Sequence, residues 1–318
     1  MALIYLISSE LKGDYMGSLR SIINNADGSN VNDRLIDSKE RFVNVPEPVS
    51  DFDKEVVDYM QGYNLAEDAS NNDILVYIML YLCQRVNPEF SAYKGGFVLT
   101  CLLPEEARRT EDVDFSISDA GQYEHLKVIL HELGNLLVSK GLFISYEIKE
   151  TITETMSGGI KFVKKDGSKN IGIDIGLHTL SYGVTKWEYK GLPCNRFEVE
   201  RMLSDKISAI YSRKRFRRTK DLYDFYIITC NFDVDLVKLN KYIELRGIIE
   251  WDKDPFSQEV LEQYAIAYDK LSVMSVRDIV IHKPKFDEVI TQLNIFMRGL
   301  QRGDTVWRHK DSRTSKDF

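Results

Sequence analysis

The sequence predicts an α+β fold: a small mixed sheet with flanking helices, followed by a helical C-terminal domain. Three observations predict it. Strand and helix patterns alternate between about residues 90 and 180. From about Arg196 onward, apolar residues at helical spacing dominate. A content of 43% hydrophobic and 29% charged residues over 318 positions is ordinary for a globular chain long enough for two domains. We expect an N-terminal extension over residues 1–70, a mixed α/β core over 71–195 and a helical domain over 196–318.

Residues 1–70 mix short apolar segments with Asn- and Asp-rich stretches and are broken at Pro46 and Pro48. The first seven residues lack a basic leader and read as a strand rather than a signal peptide. Asp73 can cap a helix running to about Val86, apolar on nearly every side and so deeply buried. Residues 91–99 enclose a Lys94-Gly95-Gly96 turn, and residues 113–117 read as a short strand. Leu126, Ile129, Leu130, Leu133, Leu136 and Leu137 recur at helical spacing up to Gly141. Ile144, Tyr146 and Ile148 alternate as in a strand, and residues 151–164 and 170–175 form a hairpin pair around Asp166-Gly167. Helices follow at about 198–215, 220–230, 235–246, 258–271 and 285–300, and the polar tail from 301 to 318 is expected to fray.

Several function classes fall away. No apolar run approaches the roughly 20 residues that cross a bilayer, so no membrane partner is expected. Cys83, Cys101, Cys194 and Cys230 lie far apart without a CxxC pair, which suits buried thiols in a reducing cytoplasm rather than zinc or disulfides. No Gly-x-x-x-x-Gly-Lys-Ser/Thr sequence supports a P-loop ATPase. A net charge of −7 argues against indiscriminate nucleic-acid coating. Within it, residues 206–220 hold seven basic side chains (Lys206, Arg213, Lys214, Arg215, Arg217, Arg218, Lys220) and no acid, a patch able to take phosphates.

The chemistry concentrates at residues 108–114, Arg-Arg-Thr-Glu-Asp-Val-Asp. Alternate residues of a strand share a face, so Asp112 and Asp114 project together. Such a pair is also common on a solvated strand face. Here Val113 and Phe115 flank the acids, and Asp174 sits between Ile173 and Ile175; acids within hydrophobic strands are costly unless paired or metal-bound. Oxygen ligands at this spacing suit Mg²⁺, which binds through one or two carboxylates plus substrate phosphates. The double glycine is either a plain strand-to-helix turn or a place where backbone amides approach a triphosphate, with Lys94 adding charge. Arg108 and Thr110 share the face of Asp112 on an extended segment. Lys206 and Arg213, seven apart, share a helix face, as do Asp221 and Asp224, three apart. His178, Tyr93, Tyr211 and Tyr223 are expected to pack rather than to bind.

Together these residues resemble the AbiEii/AbiGii-type nucleotidyltransferase toxins, minimal members of the DNA polymerase β-like superfamily. The superfamily's Gly-Gly turn, hDhD and lone hDh correspond to Gly95-Gly96, Asp112 with Asp114, and Asp174. The toxin branch's later block corresponds to Glu200, Leu203, Lys206, Arg213, Lys220, Asp221 and Asp224. The resemblance covers roughly residues 90–230 and implies the minimal nucleotidyltransferase sheet. It implies Mg²⁺ (or Mn²⁺) on Asp112, Asp114 and Asp174, with Asp174 assisting activation of the attacking hydroxyl. It places the nucleoside triphosphate on Lys94, Gly95, Gly96, Arg108, Thr110, Lys206 and Arg213, and counts Lys206 and Asp221 with the catalytic residues. The implied reaction transfers NMP to an RNA acceptor such as tRNA, in a type IV toxin–antitoxin or abortive-infection system against phage, alongside a cognate antitoxin. One position departs: Phe97 stands where the toxins usually carry Thr or Ser. A small-molecule or protein hydroxyl as acceptor, or a non-catalytic nucleotide-binding module, are the alternatives.

Overall fold

Ser70 opens the first helix among the described residues of the computed structural model, which are 69–149, 152, 156–168, 171–211, 219–246, 257–271, 273 and 283–309. All of these fall in one compact unit, Met60–Phe318. The expected N-terminal extension lies outside the described residues except at its last two positions.

Helix α1 (Asn71–Arg85) is capped by Ser70 rather than Asp73: the Asp73 amide donates to Ser70 Oγ at 3.2 Å. Asp73 instead sits in the first turn and receives the Ser70 hydroxyl on its carboxylate at 2.6 Å. Its acidity there complements the positive end of the helix dipole. Apolar on almost all sides, α1 buries Ile74, Leu75, Ile78, Met79 and Leu82. A single 3₁₀ turn (Pro88–Phe90) then leads into β1 (Ser91–Lys94), α2 (Gly95–Leu102) and β2 (Asp112–Ile117). Helix α3 (Gly121–Ser139) ends before Gly141, whose φ of 75° lets the chain turn back. It is followed by β3 (Ser145–Ile148), β4 (Ser157–Val163) and β5 (Gly172–Leu177). Ile144 precedes β3 and is 56% exposed, so the expected alternation begins one residue too early.

The sequence reading passed over one hairpin, β6 (Val184–Tyr189) and β7 (Leu192–Phe197). Lys190 and Gly191 join its strands with φ of 50° and 87°, the paired positive values of a tight type I′ turn. The seven strands form one sheet in the order β3-β4-β5-β2-β1-β7-β6. In it β2 runs parallel to β5 and antiparallel to β1, while β1 runs parallel to β7. Helices α1, α2 and α3 cover the sheet.

The C-terminal part holds α4 (Val199–Ile210), α5 (Thr219–Asn231), α6 (Leu236–Arg246), α7 (Gln258–Asp269) and α8 (Phe286–Arg302). Two short strands, β8 (Val234–Asp235) and β9 (Val306–Trp307), pair antiparallel. The tail therefore departs from expectation through His309. Trp307 is buried against Phe296, ring centroids 5.1 Å apart, and its indole N–H donates to Thr229 O at 2.8 Å. That burial and the bond outweigh the polarity of the surrounding segment. Residues 310–318 lie outside the described set.

Candidate active site

The sheet register builds the site. Lys94 of β1 stands opposite Asp114 of β2, and Asp114 opposite Asp174 of β5. One row across three strands thus carries a cation and two carboxylates. One step along, Asp112 stands opposite Gly172 of β5, which in turn stands opposite Lys161 of β4. Because strand side chains alternate with period two, both rows project on the same face.

Gly95 is required where β1 turns into α2. Its φ is +72°, and a Cβ there would lie 2.2 Å from Asp114 Oδ2. Only glycine allows the Asp114 carboxylate to rest against the turn. Beside Gly96, the Thr110 hydroxyl lies 3.0 Å from where a Cβ would be. Phe97 points away into the core, 3% exposed and edge-on to Tyr189 at 5.9 Å between ring centroids.

A cavity of about 470 Å³ opens beside this turn, lined by Lys94, Gly95, Asp114, Lys206, Asp221 and Arg246, with Asp205 and Ser208 of α4. Burial pushes Asp114 up to about 6, with Asp174 adding to the rise while Lys94 and Lys206 oppose it. Burial likewise lowers Lys94, against the pull of Asp205 and Asp114. His178 is pushed down to about 3 by burial and by Lys94. It makes a 3.0 Å hydrogen bond with Ser116 Oγ, in keeping with a packing role.

Lys206 is not part of an exposed basic face. It donates to Asp221 at 2.9 Å and to Asp224 at 2.7 Å. Asp224 also receives Arg108 through Nε at 2.9 Å and Nη2 at 3.0 Å, a two-pronged pairing. Burial alone would raise Asp224, but Lys206 and Arg108 hold it below its ordinary value. Burial alone would lower Lys206, but Asp224 and Asp221 hold it above. Arg108 thus pairs with Asp224 while its Nη2 stays beside the Gly96 turn, 3.6 Å from where a Cβ there would be, and the two later acids hold Lys206 at the cavity wall. Arg213 and the basic residues from 214 to 218 lie outside the described residues.

The acids fall into two sets. Asp114 faces the cavity, while Asp112 and Asp174 are bridged by Lys161, whose Nζ lies 2.6 Å from Asp112 Oδ1 and 3.2 Å from Asp174 Oδ1. Burial raises Asp112 despite Lys161. Among the described residues, no three acid, histidine or cysteine side chains converge tightly enough to hold an ion by themselves. The donor set still fits Mg²⁺ or Mn²⁺. Hard oxygens line one face, a cation already rests between two of them, and such ions take only one or two carboxylates when phosphates supply the rest. Lys161, Asp205, Ser208 and Arg246 escaped the sequence reading. Lys161 did carry a signal, since it is a lone charge between Ile160 and Phe162, the same pattern that drew attention to Asp174.

Among the described residues no helix is long and apolar enough to cross a membrane, and the four cysteines are unbridged. No curated protein sequence matches the chain. Among solved structures it is similar to MenT4, a nucleotidyltransferase toxin from Mycobacterium tuberculosis H37Rv, at 17% identity and a TM-score of 0.44, covering 73% of this chain and 87% of that one. It is also similar to JHP933 from Helicobacter pylori, at 15% identity and a TM-score of 0.42, covering 84% of this chain and 96% of that one. The family model described as nucleotidyl transferase AbiEii toxin, type IV toxin–antitoxin system, matches residues 86–291, and the chain belongs to that family of nucleotidyltransferase toxins.

Proposed function

We propose that this toxin transfers NMP from a nucleoside triphosphate to the 3′ end of an RNA, tRNA being the foremost candidate, in the cytoplasm and under control of a cognate antitoxin. The observation that carries this reading is the cross-strand row Lys94, Asp114 and Asp174, whose first two members line a cavity walled also by Gly95, Lys206 and Asp221. Asp112, Asp114 and Asp174 would hold Mg²⁺ or Mn²⁺. When bound, the ion supplies charge neutralisation for the phosphates and lowers the pKa of a coordinated hydroxyl.

The chain's own groups divide the remaining work. Lys94 and the ammonium of Lys206 offer positive charge to the triphosphate, and the backbone at Gly95-Gly96 allows close approach. Thr110 places a hydroxyl at the same turn. Asp221 and Asp224 fix Lys206 so that it meets the phosphates without reorganising, and Arg108 fixes Asp224. Asp174, with 52% of its side chain exposed, is the acid an incoming acceptor meets first. It takes the proton as the acceptor oxygen bonds to the α-phosphorus and the bond to pyrophosphate breaks. Arg213 is kept with the groups that hold the triphosphate, and the basic segment around it favours an RNA acceptor.

The test combines the purified toxin with an α-labelled nucleoside triphosphate and, separately, total RNA, total protein and small hydroxyl compounds such as aminoglycosides. Label in RNA, lost together with growth arrest in Asp112→Ala, is the expected result. Label in protein or a small molecule would overturn the acceptor. Full toxicity and transfer in Asp112→Ala would overturn the site.

A further inference from the structure

The Asp112–Asp174 pair is bridged by a side chain that the reaction, as set out above, does not use. Lys161 reaches it from β4 across the whole width of β5. Its path depends on Gly172: a Cβ there would lie 2.6 Å from Lys161 Cδ and 3.0 Å from its Nζ. The same Cβ would lie 2.5 Å from the Ile160 carbonyl oxygen, so this position takes only glycine and the lysine can lie over it. On the other side of Asp174, a Cβ on Gly176 would lie 2.3 Å from His178 Cε1 and 3.1 Å from Lys94 Nζ. Asp174 is thus flanked on its own face by two glycines, Gly172 crossed by Lys161 and Gly176 covered by the His178 ring.

We propose that Lys161 is a tethered counter-cation for Asp112 and Asp174 that a divalent metal must displace, making it a positioning residue that ties metal loading to nucleotide arrival. This rests on the reading of those two acids as metal carriers. Two carboxylates held side by side without a cation would repel one another and spread apart. With Lys161 between them they stay spaced for a metal while the nucleotide is absent. The lysine is suited to leaving. Its side chain is 36% exposed, its stem is flexible, and its contact with Asp174 is the longer of the two. A bare divalent ion must compete with a resident positive charge. An ion arriving on a triphosphate brings its own oxygen ligands and a net negative charge that favours the exchange. The free toxin then carries little metal, and its metal site forms with the nucleotide.

The test measures Mn²⁺ binding to the nucleotide-free full-length protein by titration calorimetry and by loss of the free-ion electron paramagnetic resonance signal. Lys161→Met should bind roughly tenfold more tightly than the parent, as expected when one competing unit charge is removed from a partly screened site. Lys161→Arg should stay near the parent. In the parent protein, acetylation of Lys161 followed by mass spectrometry should speed up on adding Mn²⁺ with a triphosphate, a measurement that needs no variant to fold. Equal or weaker binding in Lys161→Met, or a labelling rate at Lys161 that the metal–nucleotide pair leaves unchanged, overturns the inference. Asp112→Asn separates the two levels. If it weakens Mn²⁺ binding while Lys161→Met does not strengthen it, only the role of Lys161 fails. If Asp112→Asn leaves binding untouched, the metal reading of the acids fails with it.

Discussion

Asp224→Asn isolates the network that holds Lys206 in place. Asp224 is 1% exposed and receives Arg108 Nε at 2.9 Å and Lys206 Nζ at 2.7 Å. The amide keeps the shape and removes the charge. Arg108 then loses the carboxylate that held two of its nitrogens, and Lys206 keeps Asp221 alone of its two acids. Removing one member of a buried, hydrogen-bonded ion cluster costs about 3–5 kcal/mol, because the charges left behind stay desolvated. For a domain of this size that is about 6–20 °C in Tm, at roughly 2–4 °C per kcal/mol. Urea and thermal unfolding followed by circular dichroism read it directly. The pH dependence supplies a second check. Since Asp224 is held below its ordinary pKa, its contribution is complete above the unfolded value of about 4 and is lost as pH falls through the folded one. The gap between parent and variant should hold from pH 8 to 5 and close below about pH 4. A gap under about 1 kcal/mol at pH 7 would refute the reasoning, because the cluster would then behave as solvent-screened pairs.

Gly95→Ala places a methyl 2.2 Å from Asp114 Oδ2 at a φ of +72°; label transfer should fall at least tenfold and stability by about 1–3 kcal/mol, measured on the same preparation. Burial raises Asp114 to about 6, so its ionisation works against the fold as pH rises from about 4 through 6. Asp114→Asn should therefore be inactive yet about 2–3 kcal/mol more stable than the parent at pH 8 in chelator, with no gain at pH 4, by urea unfolding. Trp307→Ala should lose about 3–5 kcal/mol, since the ring is buried on Phe296 and its N–H is bonded to Thr229; a melt unchanged from the parent would mean the segment after α8 does not stabilise the fold.

Local chemistry made much of the fold legible. Helices α1, α3 and α5 to α8 and strands β2, β4 and β5 announce themselves by apolar spacing, and the glycine ends α3 as expected. The β6–β7 hairpin did not, because its outer face carries Lys186 and Glu188 and its turn is the unremarkable Lys190-Gly191. At the site, Asp112, Asp114, Asp174 and the double glycine were readable from spacing, since strand alternation fixes which side chains share a face. What spacing could not give is partnership across the chain. Sequence alone sets Arg108 and Lys206 apart by 98 positions, and only the fold shows both held by Asp224. Lys161 is the converse case: its place between Ile160 and Phe162 marks it, but only the sheet order shows that β4 brings it to Asp112, two strands away.

The pairing of Arg108 with Asp224 spans 116 residues. Closing a loop of that length costs chain entropy that the contact itself must offset. A polypeptide still emerging from the ribosome can assemble the strands that bear the acids before α5 exists, yet it lacks the carboxylates that aim Lys206. Its Arg108 would meanwhile have no counter-charge from α5. The pair that holds Arg108 and Lys206 in place is therefore out of reach of any chain that stops short of α5, however complete its sheet.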